Sequence, residues 1–438
     1  MLSSKLISII PKEEQKSNGI YFTPPEDVKT VVDKLIELGV SDPLALRARF
    51  EPTPEGGVLV PKLASHLDPL ALRARFVLEP SCGSCEFVRF LDQTNAVNGI
   101  LDQTREKTRI DCYELNETIY KNIKSFPFKS DVTIKNEDFL KANVSTKYDL
   151  IIGNPPYYEI KYPSKSSPFF NTSKINVYLL FILKSLDSLK DNGVLAFVLP
   201  RNFLNNNYAN KIRKHIVENY KLLWVHVFKK SLYLNTSQET CVIIVQNAKP
   251  SNSNCNSKYH IVLGEKTVFF NTEENIKTVR DIMKANPTNL HNLGFKVSVG
   301  NVIWNENKKI LTEDSSFTRL VYNTDIVDNQ LRMVVYKNKD KKNYIDKEGI
   351  KDDVIVVNRG HGTSNYKFNY ALLANMENPY LLENHVLTIR SVSSAHTTLQ
   401  HIIESFQDPR TKEFVRIVFT NNAINVYELE RVLPVFRE

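Results

Sequence analysis

Residues 148–160 read YDLIIGNPPYYEI: a continuous apolar run, a glycine at 153, then Asn154-Pro155-Pro156-Tyr157. A short apolar run closed by a turn signal fits a strand buried on both faces, the kind that parallel sheets contain. Proline cannot donate to a strand ladder, so the two prolines end the strand. The run therefore presents a carboxamide and an aromatic ring at a strand tip. The neighbouring sequence must explain that placement.

Working outward, short apolar runs alternate with amphipathic stretches. RFVLEP (75–80), RIDCYEL (109–115), DVTIKN (131–136), GVLAFVLP (193–200), LLWVHVF (222–228) and TCVIIVQ (240–246) read as further strands. CEFVRFLDQ, NETIYKNIKSF, NVYLLFILKSLDSLKD and NNYANKIRKHIVENY read as the helices between them. Such alternation predicts an α/β fold with a doubly wound, mostly parallel sheet. The last two strands have no helix pattern between them and are expected to pair as a hairpin at the sheet edge. The reading assigns 1–248 to this first domain and 249–258, KPSNSNCNSK, to a polar linker. Residues 259–438 form a second domain of mixed α+β character. The segment DPLALRARF occurs at 42–50 and again at 68–76. Its Arg, Ala and Pro usage departs from the surrounding Lys, Asn and Ile, so 41–76 is read as an inserted or duplicated surface segment. Loop entropy rises slowly with length, so a fold tolerates such an insert.

Composition excludes several classes. With 42% hydrophobic and 24% charged residues the chain falls among globular proteins rather than disordered ones. No apolar run approaches the ~20 residues that a membrane helix needs, and a cytoplasmic location is expected. Five cysteines, an odd number, argue against a disulfide framework. The lone Cys82/Cys85 pair has no partner pair at zinc spacing, so no metal is expected. A net charge of +8 permits a nucleic-acid partner.

In a doubly wound sheet, ligands bind beyond the carboxyl ends of the strands. The first strand ends at Glu79, followed by the small-residue turn Ser81-Cys82-Gly83-Ser84, which lets a ligand approach the backbone. An acid here, in place of a phosphate-binding glycine pattern, points to a positively charged ligand group. Glu114 stands at the second tip, where a carboxylate can accept from two ribose hydroxyls. Asp138 and Phe139 follow the third strand; an Asp accepts from an adenine amine and a Phe packs on its ring. At the fourth tip, the Asn154 side-chain oxygen and the Pro155 carbonyl are two acceptors, held rigidly because proline fixes φ. They match the two donors of an exocyclic amine. Tyr157 offers a flat face for a base drawn out of a duplex. Each of the first three tips, taken alone, is equally a turn, a surface acid or a helix cap.

Taken together, the order of these motifs resembles the gamma-class S-adenosylmethionine-dependent DNA adenine-N6 methyltransferases of type II restriction-modification systems. GIYFTPPEDVKTVVDKL, 19–35, resembles that class's N-terminal motif, and the likeness extends over roughly 19–246. It implies a Rossmann-like methyltransferase domain with S-adenosylmethionine as cofactor. Thr23 and Pro24 would wall its methionine end, and Glu79, Ser81 and Gly83 would bind the methionine part. Glu114 would take the ribose, Asp138 and Phe139 the adenine. Asn154, Pro155, Pro156 and Tyr157 would be the catalytic loop, with Phe228 as a second aromatic packing on the flipped base. The family usually has glycine where Cys85 stands, so crowding of the cofactor or an altered turn is expected there.

Residues 259–438 carry VGNVIWNENKKIL, VNRGHGTSNYKFNY and YLLENHVLTIR, which look like segments of target-recognition domains. Arg359 beside Gly360 would reach a guanine edge or a phosphate, Asn358 and Asn365 would read adenine, and Lys308, Lys309 and the 337–344 run would meet phosphates. The implied partner is double-stranded DNA, held in a cleft by a monomeric, bilobal enzyme. No nuclease constellation is evident, so a cognate restriction endonuclease would be a separate chain. Three alternatives stay open: N4-cytosine methylation, protein-glutamine or RNA methylation, and a DNA-binding relative with weakened catalysis. Asn in place of Ser before PPY favours adenine.

Overall fold

The computed structural model describes residues 2–38, 74–98, 108–163, 167–170, 172–228, 239–250, 257–360, 366–392, 397–420 and 423–436. The chain divides into two compact units, Met1–Tyr259 with Phe269–Thr272, and His260–Val268 with Glu273–Glu438.

In the first unit, three helices lead the chain: α1 (Leu2–Ile9), α2 (Lys12–Ser17) and α3 (Pro25–Glu37). Then follow β1 (Phe76–Glu79), α4 (Glu86–Asn98), β2 (Arg109–Tyr113), α5 (Glu117–Ile123), β3 (Asp131–Lys135) and β4 (Tyr148–Gly153). A small hairpin, β5 (Glu159–Lys161) and β6 (Lys174–Asn176), precedes α6 (Tyr178–Asp187) and β7 (Leu189–Pro200). Last come α7 (Asn210–Asn219), β8 (Lys221–Val227) and β9 (Thr240–Gln246). The seven-stranded sheet has the order β3-β2-β1-β4-β7-β9-β8. Neighbours from β3 to β7 pair parallel; β9 pairs antiparallel with both β7 and β8, so the expected edge hairpin forms with β9 inside it.

The continuous apolar runs have the expected cause. Along β4, Leu150 and Ile152 enter the apolar layer under α3 and α4, while Ile151 enters the layer under α6 and α7. Val194, Ala196 and Val198 alternate in the same way with Leu195, Phe197 and Leu199 along β7. A strand covered on both faces has no polar side to alternate with. The excursion expected over 41–76 lies outside the described residues apart from its last three. Of these, Ala74 is buried and Phe76 already begins β1.

The second unit is built on two four-stranded sheets. One is antiparallel, in the order Phe295–Val299, Val386–Ser391, Val354–Asn358, Tyr370–Leu373. The other runs Leu311–Thr312, Tyr344–Ile345, Thr318–Val321, Tyr380–Leu382. Three helices, Glu273–Lys284, Leu399–Gln407 and Pro409–Val418, belong to the same unit. Its Lys266 and Glu428, 1% and 2% exposed, form a buried ion pair at 2.5 Å. No helix among the described residues is long and apolar enough to cross a membrane.

Candidate active site

Strand order reverses direction between β1 and β4, and at such a point the connections leave on opposite faces and open a crevice. A cavity of about 550 Å³ occupies it, lined from the tips of β1, β2, β3 and β4. Across the switch, Ser81 Oγ donates to the Asn154 carbonyl at 3.1 Å, tying the two central tips together.

The turn after β1 runs through two left-handed residues, Gly83 (φ 52°) and Cys85 (φ 58°). Gly83 lines the cavity, and a Cβ there would stand 3.3 Å from the Phe22 ring. Cys85 adopts the conformation usual for glycine while carrying a side chain. The residue is 1% exposed, in the apolar layer with Cys82 and Cys112, and it does not border the cavity. The crowding expected from Cys85 therefore does not occur, because the left-handed backbone sends the side chain into the core.

Glu114 locks this turn to the β2 tip. Its Oε2 accepts from Gly83 N at 2.9 Å and its Oε1 from Asn116 N at 2.7 Å. Burial pushes its pKa up to about 7, against the backbone hydrogen bonds from Asn116, Gly83 and Leu115. Glu114 lines the cavity, and each carboxylate oxygen can accept more than the one hydrogen bond named. Glu79, by contrast, lies off that wall. It is 2% exposed, and its Oε2 has no hydrogen-bond partner. Burial, aided by Glu86 and Glu114 and opposed by a backbone hydrogen bond from Val88, holds its carboxyl well above the usual range.

Asp138 and Phe139 line the cavity as expected from their tip position. Asp138 Oδ1 also caps the following turn by accepting from Leu140 N at 2.9 Å. The Phe139 ring sits edge-on to Tyr113 and tilted against Phe181, with centroids 5.4 Å away in both cases. Lys184 of α6, which sequence reasoning missed, donates to the carbonyls of Phe139, Leu140 and Ala142 and so fixes this turn. A lysine on an amphipathic helix gives no sequence signal for that role.

Asn154 and Pro156 line the cavity; Pro155 and Tyr157 do not. The Asn154 amide nitrogen donates to Thr23 Oγ1 at 3.0 Å and, more weakly, to the Tyr21 carbonyl at 3.4 Å. Its oxygen accepts from the Tyr157 hydroxyl, which also lies 2.9 Å from the Val198 carbonyl. The Tyr157 ring stands edge-on to Tyr178. Thr23 and Pro24 do not border the cavity; their neighbours Tyr21 and Phe22 do. Thr23 instead orients the carboxamide at the β4 tip, a contact across 131 residues of sequence. Gly19 permits this approach, since a Cβ there would come within 2.8 Å of Tyr157 N.

Several expected contacts are corrected. Phe228 is 4% exposed, packed in the α3/α4 layer and edge-on to His226, so it presents no free face to a base. Asn358 ends a buried strand. Its amide donates to Lys367 O at 2.8 Å and accepts from Asn369 N at 2.8 Å and Tyr366 OH at 3.3 Å, which commits it to the local return of the chain. Arg359, the next residue, is held by its backbone to Asn323 Oδ1 and His385 O. Its guanidinium has no hydrogen bond or ion pair among the described residues. Lys341 of the 337–344 run is half-buried, with its ammonium 4.1 Å and 4.2 Å from the Tyr322 and Tyr336 ring centres. Lys308 pairs with Asp340 at 3.0 Å. Asn365 lies outside the described residues, as do 251–256 of the linker.

The cavity wall carries the carboxylates of Glu114 and Asp138, the rings of Tyr113 and Phe139, and Gly83, where a Cβ would crowd the Phe22 ring. These groups fit a nucleoside-bearing ligand. Residues 70–233 match the model of the Eco57I restriction-modification methylase family. The chain is 25% identical to the type II methyltransferase M.CvrRI of Paramecium bursaria Chlorella virus XZ-6E, over 98% of this chain and 96% of that protein. It is 22% identical to the modification methylase CviBIII of Paramecium bursaria Chlorella virus NC1A over the same shares. A stretch covering 39% of this chain is 30% identical to 32% of the type II methyltransferase M.AccI of Acinetobacter calcoaceticus. Over nearly its whole length the chain is thus similar to restriction-modification methyltransferases, and the residues that match the family model, 70–233, span β1 to β8 of the seven-stranded sheet.

Proposed function

We propose that the chain methylates the N6 amine of an adenine turned out of double-stranded DNA, with S-adenosylmethionine as methyl donor. The observation that carries this reading is the Asn154 carboxamide at the β4 tip. Its nitrogen is committed to Thr23 and Tyr21 O, which leaves the oxygen as the acceptor side. Beside it, the Pro155 carbonyl accepts no hydrogen bond among the described residues. Two acceptors take both hydrogens of an exocyclic amine. That draws the nitrogen toward sp³ character and frees its lone pair. The bound donor supplies an electrophilic methyl on a sulfonium. Glu114 would hold its ribose, Asp138 and Phe139 its adenine, and the Ser81–Gly83 turn its methionine end. Glu79, buried with one partnerless oxygen, supports that turn from below. Tyr157 supplies the stacking face for the base. The chain mainly orients the reactants and stabilises positive charge developing on the amine. No general base is needed before attack, since the proton leaves afterwards to water.

The second unit is the proposed target-reading domain, with Arg359 as its leading contact. The enzyme acts as a monomer, and a cognate endonuclease would be a separate chain. Expression in a methylation-free host, with modified bases mapped by sequencing, tests the reading. N6-methyladenine at one short motif is expected. N4-methylcytosine, or modified protein or RNA with unmodified DNA, would overturn it.

A further inference from the structure

The chain leaves the catalytic loop directly into the β5–β6 hairpin. Glu159 follows Tyr157 after one residue, and in the antiparallel register Glu159 faces Asn176, Ile160 faces Ile175, and Lys161 faces Lys174. Ile175 is buried, and Ile160 packs half-buried against the same apolar layer as Tyr157. That fixes the face: Lys161 and Lys174 are both exposed and stand directly opposite one another. Residues so paired hold their Cβ atoms about 5 Å apart, and like charges there repel. Neither ammonium has an ion pair or hydrogen bond among the described residues. The single acid in 159–176 is Glu159. It makes no ion pair with either lysine, and its charge is felt at the Tyr208 phenol, which burial chiefly raises. Between the two lysines opens a depression of about 380 Å³, bordered also by Tyr162, Pro163 and Ser173.

An uncompensated cross-strand pair of like charges disfavours the free hairpin and favours an anion placed between them. We infer that Lys161 and Lys174 together hold a backbone phosphate of the strand that carries the target base. This rests on the reading of DNA as substrate. Three residues lie between Tyr157 and Lys161, so the four chain steps span at most about 14 Å. Phosphates recur at ~3.4 Å of rise per step along a strand, so the clamp meets one within a few nucleotides of the target. It positions the strand without reading sequence.

The test uses the full chain with Lys161→Gln, Lys174→Gln and Lys161→Glu, binding a duplex that the wild-type enzyme methylates, across a range of KCl. Each Gln variant is expected to lower the slope of log affinity against log salt by part of the ~0.9 that one phosphate contributes, and to weaken binding several-fold. KM for DNA rises with kcat nearly unchanged, and S-adenosylmethionine affinity stays as in wild type. Lys161→Glu separates clamp from scaffold. It converts the repelling pair into an ion pair with Lys174, so the melting temperature rises while DNA binding weakens more than in Lys161→Gln. Wild-type affinity and salt slope in all three variants would overturn the clamp. A lower melting temperature in Lys161→Glu would overturn the repulsion argument. If the wild-type chain methylates no DNA, the functional reading itself fails, an outcome distinct from unchanged slopes in an active enzyme.

Discussion

Replacing Thr23 with Val keeps the shape of the side chain and removes one hydroxyl. The Asn154 amide nitrogen then loses its 3.0 Å partner and keeps only the Tyr21 carbonyl at 3.4 Å. A hydrogen bond contributes about 0.5–1.5 kcal/mol net, and a buried donor left unmatched costs about 1–3 kcal/mol. Asn154 is only partly buried, so about 1–2 kcal/mol is the appropriate range. A loosened carboxamide no longer holds its oxygen toward the amine, and the loss falls on the transition state. At about 1.4 kcal/mol per tenfold, kcat should drop roughly 5- to 30-fold. Thr23 lies off the cavity wall, so S-adenosylmethionine affinity by calorimetry should stay unchanged. Thr23→Ser restores the hydroxyl and should recover most of the rate. Single-turnover methylation of a short duplex at saturating cofactor is the assay. Unchanged kcat in Thr23→Val refutes the positioning role. A loss confined to cofactor affinity would restore the wall role expected from the sequence.

Two further outcomes follow from the site. Glu114 has a folded pKa near 7, above its ordinary 4.5 because of burial, so the folded state holds this proton more tightly. Its contribution to stability is full below pH 4.5 and is lost as pH rises through 7. Cofactor binding, which draws on the ionised acceptor, should strengthen over the same rise; calorimetry from pH 5.5 to 8.5 should show this, with Glu114→Gln giving a flat profile, and a flat wild-type profile would refute it. In the second unit, Arg359→Ala should weaken discrimination of the cognate site by about 1–3 kcal/mol with little change in melting temperature, whereas Asn358→Ala should act through a lowered melting temperature, because its amide knits residues 366–369. Equal melting shifts in the two variants would contradict that division.

The sheet was legible because a strand buried on both faces leaves a run that little else imitates. The β4 run and its abrupt Asn-Pro-Pro stop carried that signal, and the alternation of runs with amphipathic stretches carried the parallel order. The cavity wall was legible at the tips of β2, β3 and β4, since strand ends in this topology face a common crevice. What escaped were partnerships across long sequence separation. Nothing in TPPED announces that Thr23 meets Asn154, and nothing in α6 announces that Lys184 meets three carbonyls. Amide side chains misled in the second unit for a chemical reason. An Asn that could read adenine and an Asn that closes a turn use the same donor and acceptor, and burial at the end of Val354–Asn358 decided for the turn. The Cys85 position misled for a conformational one: the side chain follows φ, and a left-handed φ aimed it away from the ligand.

The Tyr157 hydroxyl resting on the Asn154 oxygen makes that acceptor a contested one. On the proposed reading, an arriving amine would exchange with a phenol that retains the Val198 carbonyl as its fallback. A base without an amine would then offer this oxygen no donor and would leave the phenol in place. Selectivity of this kind is a difference between two occupants. It works by exclusion, so a Phe at 157 would keep the stacking face while opening the acceptor to water and to weaker competitors.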